Sequence, residues 1–459
     1  MIRLRSSFVP IAAISAVVAA AVSGCAASST TSSPPTAPSS ATTPRRSPTP
    51  LPAANVTATH VAALARVETS VANARATLGT PPPTATSVFP PTLALLSSPS
   101  PDPCASSPNV TLHVAFSATW DGDSDLYVVG LDGQAPVRLT RNDLPDLYPQ
   151  WSFVTSRLAY LAPDSSGAFQ LTLLDPASGF STPLTFAPLQ VATAGRPDPW
   201  SPLELVRPAD RITTGTRWFS WSPGGHLIAF SAVPPNTLGA LYIVDVDDGW
   251  VSEVYSYGID PSIDHTWSPT GGQMAFDVNF EGEYSYFIVE LATIPQTSLL
   301  RIIPPDYMSD RQPRWDPQGE YLLFLSHLYG SPNTGLFLSL PDGSLRTQLT
   351  QDTVDVVEAT WSPDGRRIAY QAYQTSQSDP WTVISHELRV ATRDAGNDTL
   401  LLRDTSEGAR QLTWSPDGRF IAYLFGQRSH WDLRAIDICN LRVRALAADV
   451  NNDAITWMP

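Results

Sequence analysis

The stretch Trp361-Ser362-Pro363-Asp364-Gly365-Arg366-Arg367-Ile368-Ala369-Tyr370 decides the fold, because it recurs. Trp414-Ser415-Pro416-Asp417-Gly418 leads to Ile421-Ala422-Tyr423, and Trp221-Ser222-Pro223-Gly224-Gly225 leads to Ile228-Ala229-Phe230. Looser copies start at Trp151, Trp267 and Trp315. The steps from one tryptophan to the next are 70, 46, 48, 46 and 53 residues. A unit of about 40 to 50 residues, with one tryptophan and several short strands, predicts a β-propeller.

Each copy makes physical sense. The tryptophan anchors an innermost strand against the next blade, and burying it removes ~150–250 Å² from water. Ser-Pro-Asp-Gly is a turn, with Pro presetting φ and Gly supplying φ > 0. Ile-Ala-Tyr is the strand that follows. Seven residues after each tryptophan stands Leu158, Ile228, Met274, Leu322, Ile368 or Ile421. Nine after it stands Tyr160, Phe230, Phe276, Phe324, Tyr370 or Tyr423. Trp200-Ser201-Pro202 breaks this register, since Arg207 and Ala209 occupy the two positions.

A seventh copy is split. Val114-Ala115-Phe116 matches the second strand of a blade, but Ser107 stands where its tryptophan belongs. The missing piece is Ile455-Thr456-Trp457-Met458-Pro459 at the other end of the chain. The reading is therefore all-β: a seven-bladed β-propeller closed by N-terminal and C-terminal strands sharing one blade. Such closure removes the open sheet edge. Six blades plus an irregular insert is the alternative count.

The repeat resembles the WD40-like propeller repeat (PD40) of the TolB family. Trp-Ser-Pro-Asp-Gly-x-x-Ile-Ala-Tyr matches it, as do Asp125-Leu126-Tyr127-Val128-Val129 and Arg138-Leu139-Thr140. The resemblance covers about residues 107–459 and not the small N-terminal α/β domain that TolB itself carries. It implies a cell-envelope protein of the periplasm. TolB's own partner is the peptidoglycan-associated lipoprotein. The same repeat serves envelope proteins of differing function, so the fold alone does not fix the role.

Residues 1–24 read as a lipoprotein signal peptide. Arg3 and Arg5 form the charged region, Phe8 to Val22 the apolar region, and Val22-Ser23-Gly24-Cys25 resembles a lipobox. Cleavage before Cys25 would leave that thiol to carry the lipid, making the protein an extracytoplasmic one anchored to a bacterial membrane. An ordinary secretory signal is the alternative. Residues 25–103 read as a disordered tether, with fifteen prolines between Pro34 and Pro103. Residues 53–78 lack Pro and Gly, and Val56, Leu64, Val67, Val71 and Leu78 fall near helical spacing, which marks a candidate helix. The propeller is residues 104–459. Net charge is −15, or −17 once Arg3 and Arg5 leave with the signal, which argues against nucleic acid and anionic membrane surfaces.

Cys104 and Cys439 remain after Cys25 is assigned to the lipid. Call the end of the ring carrying the Ser-Pro-Asp-Gly turns the bottom. Cys104 precedes strand two of the first blade, and Cys439 follows strand three of the last. Both fall at the bottom of blades that adjoin at the closure. A Cys104–Cys439 disulfide is expected, with two free thiols as the alternative.

The same directions place the tether at the bottom and the long insertions, about residues 187–216 and 375–385, at the top. Trp120, Trp200, Trp218, Trp381 and Trp431 map near the top and are binding candidates for a glycan or a peptide. Trp250 maps to a bottom turn. Each could instead cover its own hairpin. One residue before the repeat tryptophans stands Gln150, Ser220, Thr266, Arg314, Thr360, Thr413 or Thr456, a polar register near the channel. Arg314 is its charged member and the candidate for an anionic ligand. His265 occupies an otherwise apolar slot two residues before Trp267. Asp264, Glu358 and Asp453 are candidate channel carboxylates.

No catalytic motif emerges. There is no Gly-x-Ser-x-Gly. His386-Glu387 begins like a zinc helix but has no second His at Val390. Asp121, Asp123 and Asp125 mimic a calcium loop, yet Leu126 stands where that loop needs Gly. The expectation is a monomeric, non-enzymatic, cofactor-free scaffold that binds an envelope protein through its top face. A glycan- or small-ligand-binding lipoprotein is the alternative, and an enzyme with channel carboxylates is a third reading.

Overall fold

The structure is a computed structural model. It describes residues 102–105, 111–165, 169–184, 219–232, 240–256, 264–280, 283–291, 299–302, 308–328, 333–351, 354–376, 382–427 and 430–459. The stretches read as signal peptide and tether, including the candidate helix 53–78 but not residues 102–103, lie outside the described residues, as do Trp200, Trp218 and Trp381.

Seven four-stranded antiparallel sheets follow one another. Blade 1 takes β1 (His113–Ala118), β2 (Asp125–Gly130) and β3 (Val137–Arg138). Blade 2 is β4 (Leu147–Ser152), β5 (Arg157–Pro163), β6 (Phe169–Asp175) and β7 (Phe180–Pro183). Blade 3 is β8 (Phe219–Trp221), β9 (Leu227–Ala232), β10 (Ala240–Asp245) and β11 (Val251–Ser256). Blade 4 is β12 (His265–Trp267), β13 (Gln273–Phe280), β14 (Glu283–Glu290) and β15 (Leu299–Ile302). Blade 5 is β16 (Met308–Trp315), β17 (Leu322–Leu328), β18 (Thr334–Ser339) and β19 (Thr347–Gln348). Blade 6 is β20 (Val354–Trp361), β21 (Arg367–Thr375), β22 (Val383–Thr392) and β23 (Asp398–Asp404). Blade 7 is β24 (Gly408–Trp414), β25 (Phe420–Gln427), β26 (His430–Asp437) and β27 (Arg442–Ala447). The last strand, β28 (Thr456–Met458), joins blade 1.

The ring closes as the split copy requires. β28 pairs antiparallel with β1, placing Trp457 opposite Val114 and Thr456 opposite Ala115. Trp457 is buried with Val114, Phe116, Leu424 and Leu433, so a single core cluster spans blades 1 and 7. Cys104 and Cys439 are disulfide-bonded across the same junction, with Cα atoms 5.5 Å apart.

The recurring stretch builds the same bottom turn in blades 3 to 7. In blade 6 the Gly365 N–H donates to the Ser362 carbonyl, and Ser362 Oγ accepts from the Arg367 N–H at 2.9 Å. Ser222, Ser268 and Ser415 play the same part, and Asp316 replaces them in blade 5. Gly365 has φ 66° and Gly418 φ 69°, a conformation that costs glycine little. Blade 2 has no such glycine, and Ser156 takes the left-handed conformation at φ 53°. The strand after each turn alternates against its two neighbours. Ile368, Ala369 and Tyr370, with their counterparts in the other blades, are essentially inaccessible to solvent. Their burial joins that of the flanking strands in the apolar core between blades.

Candidate functional site

Five blade interfaces share one polar link. The indole Nε1–H of each inner-strand tryptophan donates to the backbone carbonyl of the residue just before the previous blade's tryptophan. Trp221 reaches Gln150 O at 3.0 Å, Trp361 reaches Arg314 O at 3.2 Å, and Trp457 reaches Thr413 O at 3.1 Å. Trp267 and Trp414 do the same to Ser220 O and Thr360 O. This link fixes the residue whose side chain belongs to the channel register. Trp151 and Trp315 are the exceptions, and their buried Nε1 atoms have no hydrogen-bond partner among the described residues.

At those two interfaces carboxylates take over. Between blades 1 and 2, Asp453 accepts from Ser117 Oγ at 2.6 Å and from the Tyr148 N–H at 3.0 Å. Between blades 4 and 5, Asp277 accepts from the Gln312 N–H at 2.8 Å, and within blade 4 it accepts from the Asp264 N–H at 3.0 Å. Glu358 adds a third clamp between blades 6 and 7, accepting from the N–H groups of Gln411 and Leu412 at 2.9 and 2.8 Å. The clamped residues Tyr148, Gln312 and Gln411 stand three before their tryptophans. All three are left-handed, with φ of 56°, 54° and 56°. Each sits at a break in the register of the inner strand, a β-bulge. The carboxylate holds a strained N–H that the sheet cannot pair.

The charges follow from this arrangement. Arg314 forms a two-pronged ion pair with Asp264, both contacts at 2.8 Å, and also donates to Pro313 O. Burial works against the Arg314 charge, but Asp264 beside it more than offsets that and raises its pKa. Burial, then the neighbouring Asp264 charge, pushes Asp277 up to about 7. Burial pushes Asp453 up to about 6.

Arg314 and Glu358, with residues on or just before the inner strands of blades 1, 2, 3, 6 and 7, line a cavity of about 170 Å³, whereas Asp264, Asp277 and Asp453 lie behind its wall. Its polar lining is Gln150, Gln411, Thr360, Thr413 and Thr456, with Arg314 and Glu358 beside them. Tyr148, Phe219, Leu412 and Ile455 supply apolar wall. Five of the seven residues in the polar register, Gln150, Arg314, Thr360, Thr413 and Thr456, therefore line the cavity, whereas Ser220 and Thr266 do not, Ser220 Oγ accepting from the Trp267 indole.

The candidates picked from sequence divide. Arg314 and Glu358 line the cavity, but one is spent on Asp264 and the other on two backbone N–H groups. His265 is fully buried opposite Phe276 and is not part of the lining. Trp431 is a correction: at 3% exposure it belongs to the core, under the Arg410 guanidinium, and presents no ring to a ligand. Its strand alternates Trp431, Leu433 and Ala435 inward, a period-two signal that marked it as core. Trp120 is 39% exposed at the top. Its Nε1 donates to Ala448 O and Asp449 O, and its ring lies 4.5 Å from that of Tyr127, so it ties its hairpin to blade 7. Asp121 and Asp125 both pair with Arg138, and β2 starts at Asp125 as the hairpin reading requires. His386 and Glu387 lie on strand β22, not on a helix.

Three features escaped the sequence reading: the Asp277 clamp, the Asp264–Arg314 pair, and exposed apolar side chains at the bottom. Phe153, Val154, Phe180 and Trp250 are exposed in or beside the bottom turns of blades 2 and 3, Phe180 as the first residue of β7. Among the described residues no group of three or more His, Cys, Asp or Glu is placed to hold a metal ion.

No protein-family model matches the chain. A component of eukaryotic translation initiation factor 3 from Nicotiana tabacum is 24% identical over 259 residues, covering 54% of this chain and 35% of that protein. The chain thus spans about a third of the length of this curated relative. A puromycin-hydrolyzing peptidase of Mycobacterium tuberculosis superposes with a TM-score of 0.53 at 14% identity, covering 77% of this chain and 55% of that one. TolB of Acinetobacter baumannii superposes with a TM-score of 0.44 at 14% identity, covering 76% and 66%. The structural neighbours are thus propeller proteins that include TolB, and they number enzymes among them. At these identities the likeness is one of fold alone, that of the seven-bladed β-propeller described above.

Proposed function

We propose that this protein is an extracytoplasmic binding scaffold, held at a membrane by a lipid on Cys25 and the 25–103 tether, which binds an envelope protein through the top of its ring. One observation carries this reading: the charged groups of the channel are spent on joining blades. Acid–base catalysis needs a side chain that changes protonation in contact with substrate. Asp264 instead holds a guanidinium, while Glu358 and Asp453 hold backbone N–H groups. A ring so braced displays its loops at little ordering cost, which favours binding. Connection lengths support the choice of face. The top connection from β7 to β8 runs from Leu184 to Trp218, while no other connection between the described strands exceeds eight residues.

The test is photo-crosslinking of the full chain in envelope extract, with the Trp200→Ala/Trp381→Ala variant as control. A specific protein captured by the parent and lost in the variant supports the scaffold. Equal capture by both, or none above background, refutes binding through these loops.

A further inference from the structure

The cavity on the ring axis has a chemistry that the scaffold role does not call for. Four of its side chains, Gln150, Gln411, Thr360 and Thr413, make no hydrogen bond within the described residues, although their backbones are engaged. Thr456 accepts from the Trp151 N–H at 3.2 Å, which leaves its own hydroxyl proton to donate elsewhere. Each of these groups is both donor and acceptor. All are neutral, and they converge on one space of about 170 Å³. A space of that size suits one small ring. Tyr148 and Phe219 add an apolar wall.

The two charged members narrow the ligand further. Arg314 is already met by Asp264, and Asp277 stands behind that pair, so an anion would face two carboxylates for one guanidinium. Glu358 offers only acceptor oxygens. A ligand dense in hydroxyls, with no net charge and a carbon skeleton to lie on an aromatic ring, satisfies every group present. The fold also sustains left-handed backbone at Tyr148 and Gln411 to form this wall, and strain of that kind gathers at functional sites.

We propose that the axial cavity binds a single neutral polyhydroxylated ring, of monosaccharide or cyclitol size, through Gln150, Gln411, Thr360, Thr413 and Thr456. The site is independent of the scaffold role and of the top loops.

The experiment is saturation-transfer NMR and calorimetry on the full chain with glucose, galactose, N-acetylglucosamine and myo-inositol, and with glucuronate as the charged control. Saturable binding of at least one neutral compound is expected, with glucuronate at least tenfold weaker. Thr360→Val/Thr413→Val keeps the side-chain shape, removes two hydroxyls, and should weaken binding at least tenfold with an unchanged melting temperature. Should that variant fail to fold, Gln150→Met replaces it with the same expectation. A disaccharide ending in the preferred sugar separates the two sources: equal binding assigns the end of a glycan, exclusion assigns a free sugar. No saturable binding by any of the four neutral compounds overturns the proposal, as does unchanged affinity in the folded variant.

Discussion

Two interfaces of the ring solve one problem differently. Between blades 5 and 6 the link is neutral: the Trp361 indole donates to the Arg314 carbonyl. Between blades 4 and 5 the Trp315 indole has no partner among the described residues. There the Asp264–Arg314 ion pair and the Gln312 N–H donated to Asp277 hold the blades, while the Asp264 N–H braces Asp277 within blade 4. The first solution carries no charge and is indifferent to pH. The second places two carboxylates and one guanidinium in a dry interface, where desolvation opposes every charge that lacks a partner. The difference shows that a repeat can lose its standard link and keep its geometry, provided another group satisfies the backbone. It also shows why ionisable side chains near a propeller axis need not be catalytic.

The comparison can be broken by mutation. The largest effect is expected at the closure, where Trp457 has both the neutral link and the core of blades 1 and 7 around it. Trp457→Ala should cost ~3–5 kcal/mol, as other buried aromatic truncations do, measured by denaturant unfolding. A wild-type midpoint would mean that β28 does not close the ring. Arg314→Met should cost about 3 kcal/mol near pH 8, because Asp264 and Asp277 lose the positive charge between them. The loss should shrink as the pH falls and Asp277, pushed up to about 7, protonates. A smaller effect separates the interface classes. Trp361→Phe should lose about 1 kcal/mol more than Trp151→Phe, since only the first breaks an indole hydrogen bond. Equal losses would remove the distinction.

Much of this was legible in the sequence. The tryptophan register, the turn chemistry and the buried Ile-Ala-Tyr positions repeat, and repetition exposes them. The split blade followed from one missing tryptophan at Ser107 and one surplus at Trp457, and the cysteine pair followed from strand direction. The clamps were hidden because they do not repeat. Glu358 stands three residues before its tryptophan, Asp453 four before, and Asp277 ten after, yet all three aim at the same kind of bulge. Arg314 read as a ligand group because its partner, Asp264, is 50 residues away in sequence. The polar register that lines the cavity was visible, but which of its members are free of other duties depends on contacts between blades.

The claim that buried carboxylates belong to the ring's architecture is tested most directly by stability against pH. Asp277 and Asp453 titrate in the fold at about 7 and about 6, raised from 3.8. Their protonated forms are therefore favoured by folding. The stability they contribute is full below about pH 4 and is lost as the pH rises through 6 and 7. Asp146, pushed up to about 6 by burial, adds to the same trend. The thermal midpoint of the wild-type chain should fall between pH 5 and pH 8, and Asp277→Asn/Asp453→Asn should fall distinctly less over that range. Parallel slopes for the two proteins would contradict the account, because the clamps would then not be carboxylates held in a dry interface.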